Sequence, residues 1–479
     1  MFIEKGGKEM NFLANLFGDI ENKKPIKTKE EAIEILKISP ELFESFERTY
    51  KIASMKEEIE SDNLYDKGKG FFDRENEGLK NTLPVKPYNP KYLEEIINRI
   101  VDELLLYPIA ESEEYKNGKI KPVTIQEIMV LPEELRPQLT GTMVIKDIAR
   151  DSYPAVLFFY NEYLKANDPK KKSKMMLQFM MGLDTLDLDP ITYAILGENS
   201  NTFGKWYPQL EKAISNQNFF KLPKTKYIKV PLPILQLTRM GYNLVNQTTK
   251  EIVNRYCMKA FNLDINKDYF IKTGTFSYKF DFRNCKVTKG KEVTELGEYL
   301  LYINSYAVSM ASMLSNKPIV GVSTTNEWVV REYINDVENN PTIYKGLPLH
   351  TEYRIFIDAD TKEVIGKSPY WDVDVLSKRF AAGNDRDKAD MKHDYIAVQV
   401  HKETLEKRYN ENIDKLIERM KCLINDLDLN GQWSVDIMQN GEDFYIIDMA
   451  LAKNSAYYDC VPLEKRREIE EDWIPKLEQ

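Results

Sequence analysis

The chain has 479 residues, with 67 Lys and Arg against 76 Asp and Glu, a formal charge of −9. That acidic balance argues against a general nucleic-acid backbone binder, which needs a basic excess to displace counterions. With 42% hydrophobic residues and only 21 Gly and 22 Pro, collagen-like and low-complexity classes are excluded, and the length suits two or three domains at about 150 residues each.

Four dispersed cysteines, Cys257, Cys285, Cys422 and Cys460, form no CxxC pair, which fits a reduced cytoplasmic setting better than a disulfide framework. The histidines are only His350, His393 and His401, so a His/Cys zinc site is not expected and any metal should be a hard cation on carboxylates. The first residues carry acids inside their apolar stretch and do not read as a secretory signal. Apolar runs such as Tyr153–Tyr160 fall far short of the ~18 residues of a membrane span, so no membrane partner is expected.

In chain order, Lys29–Lys37 and Glu41–Ser54 read as short helices, with Ser39 and Pro40 as N-cap and first position between them. Ser61–Pro90 reads as a loop or linker. Pro90 opens a helix to about Leu106, and from Pro132 to about Asn262 the pattern is mostly helical, with core-like stretches at Ala155–Lys165 and Ser173–Leu183, a short strand or edge at Tyr227–Pro233 and a helix at Thr248–Phe261. After Asp268 the period changes. Strands are expected at Tyr269–Thr273 and Tyr278–Phe282, a helix over Val293–Leu314, strands at Glu327–Ile334, Glu352–Asp358 and Val364–Lys367, a helix over Leu405–Leu427, and closing strands at Gln432–Gln439 and Phe444–Met449. The expected fold is α+β, in three parts: a helical and linker extension (1–90), a mainly α-helical domain (91–262) and an α+β domain (263–479).

Four segments carry candidate chemistry. In the first, Lys272 precedes the small loop Thr273–Ser277, and Lys279 follows it. A glycine loop can lay N–H groups over phosphates beside a lysine, or the segment is a hairpin with a surface lysine. In Glu327–Ile334, period two puts Trp328, Val330 and Glu332 on one face and Glu327, Val329 and Arg331 on the other. Opposite charges on opposite faces of an otherwise apolar strand are unusual for a one-sided sheet, and the plainer reading is a half-exposed strand with an Arg–Glu surface pair. In Glu352–Asp358, Glu352, Arg354 and Phe356 share one face, and Tyr353, Ile355 and Ile357 form the core face. Arg354 and Glu352 could serve phosphate and ribose, or form a solvated salt bridge. The last segment is a hairpin with Asp436 and Asp448. Centred on Glu442, with an odd loop such as Gly441–Asp443, it places the two carboxylates directly opposite on one face. Two acids flanked by apolar residues are costly without a cation, and Mg²⁺ shared with substrate phosphates fits.

These four pieces in this order resemble the ATP-grasp superfamily. They are similar to uncharacterised bacterial and phage members and to the cell-division-cycle 123 type assembly factors for translation initiation factor 2. The resemblance rests on Lys272, Ser277 and Lys279, Arg331-Glu-Tyr, Glu352-Tyr-Arg354, Asp436 and Ile447-Asp448-Met-Ala450, and covers about Asp268–Tyr458. It implies an ATP-grasp domain of two α+β subdomains around ATP, behind a mainly helical N-terminal half. It further implies Lys272 and Lys279 on the phosphates, Gly274 and Ser277 in a flap, Val330, Arg331 and Glu332 as a hinge against adenine, Glu352 or Glu332 on ribose, Arg354 facing the phosphates, and Mg²⁺ on Asp436 and Asp448. Lys272 and Arg354 would be the catalytic pair. The implied activity is an ADP-forming carboxylate–amine ligase with a small-molecule, peptide or protein acceptor, and the alternative is an ATP-binding assembly factor with little turnover. Where the family pattern has Asn two residues after the last acid, this chain has Ala450, with Asn454 and Asp459 as candidate substitutes.

Overall fold

The computed structural model describes residues 89–107, 112–120, 122–139, 196–197, 199–238, 242–313, 325–381 and 388–467. The helices expected at Lys29–Lys37 and Glu41–Ser54, most of the linker, and the stretches Ala155–Lys165 and Ser173–Leu183 lie outside the described residues. The longer helices are α1 (Pro90–Leu105), α2 (Phe203–Ser215), α3 (Gln247–Ala260), α4 (Leu296–Met313), α5 (Val373–Ala381) and α6 (Lys388–Asp426). The strands are β1 (Phe220–Lys221), β2 (Thr225–Lys229), β3 (Tyr269–Thr273), β4 (Lys286–Val287), β5 (Glu327–Glu332), β6 (Thr342–Ile343), β7 (Leu347–Pro348), β8 (Glu352–Asp358), β9 (Glu363–Pro369), β10 (Gln432–Asn440) and β11 (Asp443–Leu451). Mixed helix and sheet, the chain is α+β. No helix among the described residues is long and apolar enough to cross a membrane.

Local sequence explains several boundaries. Asn89 caps α1 by accepting the Lys91 N–H, with Pro90 at the first position, where its missing N–H costs nothing. Ile96, Ile97, Ile100, Val101 and Leu104 then fall on one buried face. Asn246 caps α3 by accepting the Thr249 N–H at 2.9 Å.

Two main sheets position the site. One has strand order β1-β11-β10-β8-β9, the other β2-β5-β3-β4. The four-stranded sheet packs one face on α1, α3 and α4, through Ile271, Trp328 and Val330 among others. The five-stranded sheet is covered on one face by α2 and α6, with Tyr353, Ile355 and Ile357 in that core. Val329 of β5 belongs to this second core while its neighbours Trp328 and Val330 belong to the first. Strand β5 is therefore buried on both sides, which corrects the half-exposed reading. Strands β1 and β2 precede residue 263, yet β1 extends one sheet beside β11 and β2 extends the other beside β5. The boundary expected at 262/263 thus cuts through both sheets.

Residues 278–282 form no strand. Both edges of β3 are occupied, by β4 and β5, and Lys279–Asn284 coils into a 3-10 turn whose Phe282 N–H donates to the Tyr344 carbonyl. The segment from Tyr227 keeps its strand only to Lys229, and Pro233 sits in the first turn of a short helix, Leu232–Leu237. The helix expected from Leu405 begins earlier, at Lys388.

The closing hairpin also differs from expectation. Asn440 pairs with Asp443, so its loop is the two-residue Gly441-Glu442, with Gly441 at φ 64°, where a side chain would be strained. An even loop alone would put Ile447 opposite Asp436. A β-bulge at Ile447 inserts one residue and restores the direct Asp436–Asp448 pairing. The expected opposition is present, but the bulge produces it rather than an odd loop.

Candidate functional site

The two sheets face each other across a cleft of about 830 Å³, counted to its open mouth. Strand alternation aims the polar face of each sheet into it. Ile271 points to the helical core, so its neighbour Lys272 points to the cleft; Ile355 points to the other core, so Arg354 points to the opposite face.

A charged row crosses this floor. Arg354 and Asp436 are neighbours in the β8–β10 register and form a bidentate pair, with Nε to Oδ1 at 2.7 Å and Nη2 to Oδ2 at 2.8 Å, both residues buried. Asp448 stands opposite Asp436 on β11. From the other sheet, Lys272 Nζ donates to Asp448 Oδ2 at 2.8 Å and Oδ1 at 3.0 Å. The Lys272 side chain is only 2% exposed and that of Asp448 38%. Burial alone would raise the Asp448 pKa, but Lys272 and Arg331 outweigh it and hold the carboxyl below its ordinary value. Burial pushes the Lys272 ammonium below the ordinary lysine value, with Asp448 opposing.

Arg331 donates through Nη1 to the carbonyl of Ile447, the bulged residue, and its guanidinium lies 5.1 Å from the Phe203 ring centre. Lys279 bonds the Tyr370 hydroxyl and lies 4.1 Å from that ring's centre, while Arg354 lies 4.6 Å from it. Glu352 is buried, its Oε2 has no hydrogen-bond partner, and burial pushes its pKa up to about 7 despite the nearby Lys279 charge. The indole N–H of Trp371 favours the charged form from nearby but lies outside hydrogen-bond geometry.

The cleft brings together Lys272, Ser277, Lys279, Arg331, Glu332 and Glu352, with Asp436 and Asp448. Arg354 acts from behind, through Asp436. Two expected residues stand elsewhere. Gly274 donates its N–H to the Glu327 carbonyl and packs against Thr202 and Thr325, so it does not overhang the cleft. The Phe276 N–H donates to Thr273 Oγ1 at 2.9 Å, so the loop's donors turn inward. The Val330 side chain is in the helical core, leaving only its backbone for a hinge role. Glu332, on the rim, pairs with Lys267 at 2.6 Å. Of the substitutes considered for Ala450, Asn454 accepts from Asn201 at 3.0 Å and Asp459 is exposed; neither lines the cleft.

Sequence reading missed the apolar wall, Phe270, Phe282, Leu347, Pro348, Trp371 and Met438. These come from separate elements and form no motif. His350 also lines the cleft and was read only as one of few histidines.

No family model and no curated protein matches this chain. Among solved structures, it is similar to Cdc123 from Schizosaccharomyces pombe, at 14% identity and a TM-score of 0.34 over 57% of this chain and 96% of that one. A C-terminally truncated Cdc123 from the same organism matches at 13% identity and a TM-score of 0.34, over 56% and 92%.

Proposed function

We propose that this chain binds Mg-ATP in the cleft between its sheets and uses it to join a carboxylate to an amine with release of ADP. The reading is carried by the row Arg354–Asp436–Asp448–Lys272, two opposed carboxylates flanked by a buried arginine and a buried lysine. Three cations, Lys272, Lys279 and Arg331, face the triphosphate, and the acids would repel it unless a divalent ion stood between.

The donor set fits such an ion. A carboxylate offers about four lone-pair sites; the Arg354 bonds occupy two on Asp436, and the Lys272 bonds and the Met449 N–H occupy three on Asp448. Asp436 and Asp448 would hold Mg²⁺ through the remainder, and Mg²⁺ accepts one or two carboxylates plus phosphate oxygens. When bound, it supplies charge neutralisation at the phosphates. Lys272 and Lys279 would hold the phosphates, with Ser277 beside them. The base would lie on the apolar wall by Phe270 and Leu347, with the Arg331–Glu332 backbone at its edge and Glu332 or Glu352 near the ribose. In the reaction, a substrate carboxylate oxygen attacks the γ-phosphorus and ADP leaves. A deprotonated amine then attacks the carbonyl carbon and displaces inorganic phosphate. The chain's part is positioning and charge neutralisation.

One observation favours a second reading, an ATP-held assembly factor with little turnover: Ala450 offers no donor, and Asn454 and Asp459 do not replace it. A nucleotide-product assay against pooled carboxylates and amines separates the two. The ligase reading expects ADP only when acceptors are present, and faster release in Ala450→Asn. AMP formation would refute it. Tight Mg-ATP binding without turnover would select the second reading.

A further inference from the structure

Tyr370 directly follows β9, and its N–H donates to the Glu352 carbonyl at 3.0 Å, which fixes it beside β8. It does not line the cleft, so it acts there only through residues that do. Two cations of the site share its ring. The Arg354 guanidinium lies 4.6 Å from the ring centre and the Lys279 ammonium 4.1 Å from it, and Lys279 Nζ also donates to the Tyr370 hydroxyl. The Trp371 ring, 5.2 Å from Lys279 Nζ, completes an aromatic corner.

The two lysines of the site are held differently. Lys272 is ion-paired with Asp448. Among the described residues, Lys279 has no carboxylate within ion-pair distance, and its one side-chain hydrogen bond is to Tyr370. Its backbone gives little help, because Lys279 opens a 3-10 turn in which Asp281 already departs from helical geometry. A lysine stem is long and flexible, so an anchor is needed to keep the ammonium in one place. A carboxylate would cancel the charge it anchors. A neutral hydroxyl and a ring face attract an ammonium and leave its charge in place. Burial raises the Tyr370 pKa, so this hydroxyl stays neutral at pH 7.

We propose that Tyr370 is a positioning residue, whose hydroxyl and ring hold the Lys279 ammonium at the cleft with its charge uncancelled. That this charge then serves the phosphates rests on the proposed function, and the anchoring does not.

Tyr370→Phe tests this, because it removes the hydroxyl and keeps the ring that meets Arg354 and Trp371. The first readout uses the full chain without nucleotide: competitive acetylation with acetic anhydride at pH 8, measured at Lys279 by peptide mass spectrometry against the exposed Lys289. An ammonium that loses its acceptor gives up its proton more easily, so Lys279 acetylation should rise about threefold in the variant, with an unchanged circular dichroism spectrum. Unchanged relative reactivity would overturn the anchor. The second readout is Mg-ATP calorimetry as a double-mutant cycle. Tyr370→Phe should weaken binding about fivefold and Lys279→Met about tenfold, and the double variant should bind no more weakly than Lys279→Met, because the hydroxyl acts through that ammonium. Losses that multiply, or wild-type affinity in Tyr370→Phe, would overturn the positioning role. If the wild-type chain binds no Mg-ATP, the nucleotide reading falls and acetylation alone decides the anchor. Intact Mg-ATP binding beside unchanged acetylation would remove only this inference.

Discussion

Lys272 Nζ lies 2.8 Å from Asp448 Oδ2, so a lysine of the four-stranded sheet is charge-paired with an aspartate of the five-stranded sheet across the cleft. Strand alternation places each residue on the cleft face of its sheet, and the burial of Lys272 makes its ammonium depend on the Asp448 carboxylate. Triphosphate and metal would enter this pair, exchanging one set of compensating charges for another.

Lys272→Met removes a buried lysine of the cleft floor. Losing a charge-assisted contact should weaken Mg-ATP binding by about 1.5 kcal/mol or more, roughly tenfold in Kd. Calorimetry on the folded variant checks this, and unchanged affinity removes Lys272 from the phosphate site.

Glu352 gives a pH signature. Burial raises its pKa to about 7, above the ordinary value of about 4.3 for an unfolded chain. Between those values the folded state holds more protons than the unfolded one, so this group's contribution to stability falls as pH rises, and the full penalty is present above pH 7. Glu352→Gln mimics the neutral acid. The variant should gain stability relative to wild type between about pH 5 and about pH 8, read from denaturant midpoints across that range. A pH-independent difference would contradict the assignment.

How much of this was legible before folding varies with the range of the interaction. The bounds of β3 and β8 were read as they stand, because alternation and flanking polar residues are local signals. So was the start of α1, from its proline. The Arg354–Asp436 pair was not legible: it requires β8 to lie beside β10, an order no local pattern encodes. The bulge at Ile447 was hidden for a related reason. Its carbonyl accepts from Arg331, a residue of the other sheet, and nothing within the hairpin distinguishes that isoleucine from its neighbours. Tyr278–Phe282 alternates like a strand, but β3 had no edge left to receive it.

Gly274 separates a packing role from a phosphate-flap role. A Cβ there would meet Thr202 Oγ1 at 2.6 Å, Thr325 Oγ1 at 2.8 Å and Glu327 Cβ at 3.0 Å. Gly274→Ala should cost about 1–3 kcal/mol of stability by overpacking, measured by urea denaturation. A variant of wild-type stability with lost nucleotide binding would instead return Gly274 to the flap.

The central claim is that opposed aspartates and a buried lysine make this cleft a Mg-nucleotide site. Calorimetric titration of ATP into the full chain, with Mg²⁺ and then with the metal chelated, tests it most directly. Saturable one-site binding with Mg²⁺ is expected, weakening about tenfold or more without it, because the cleft's acids then face the triphosphate uncompensated. Absence of saturable binding, or equal affinity with and without Mg²⁺, would contradict the account.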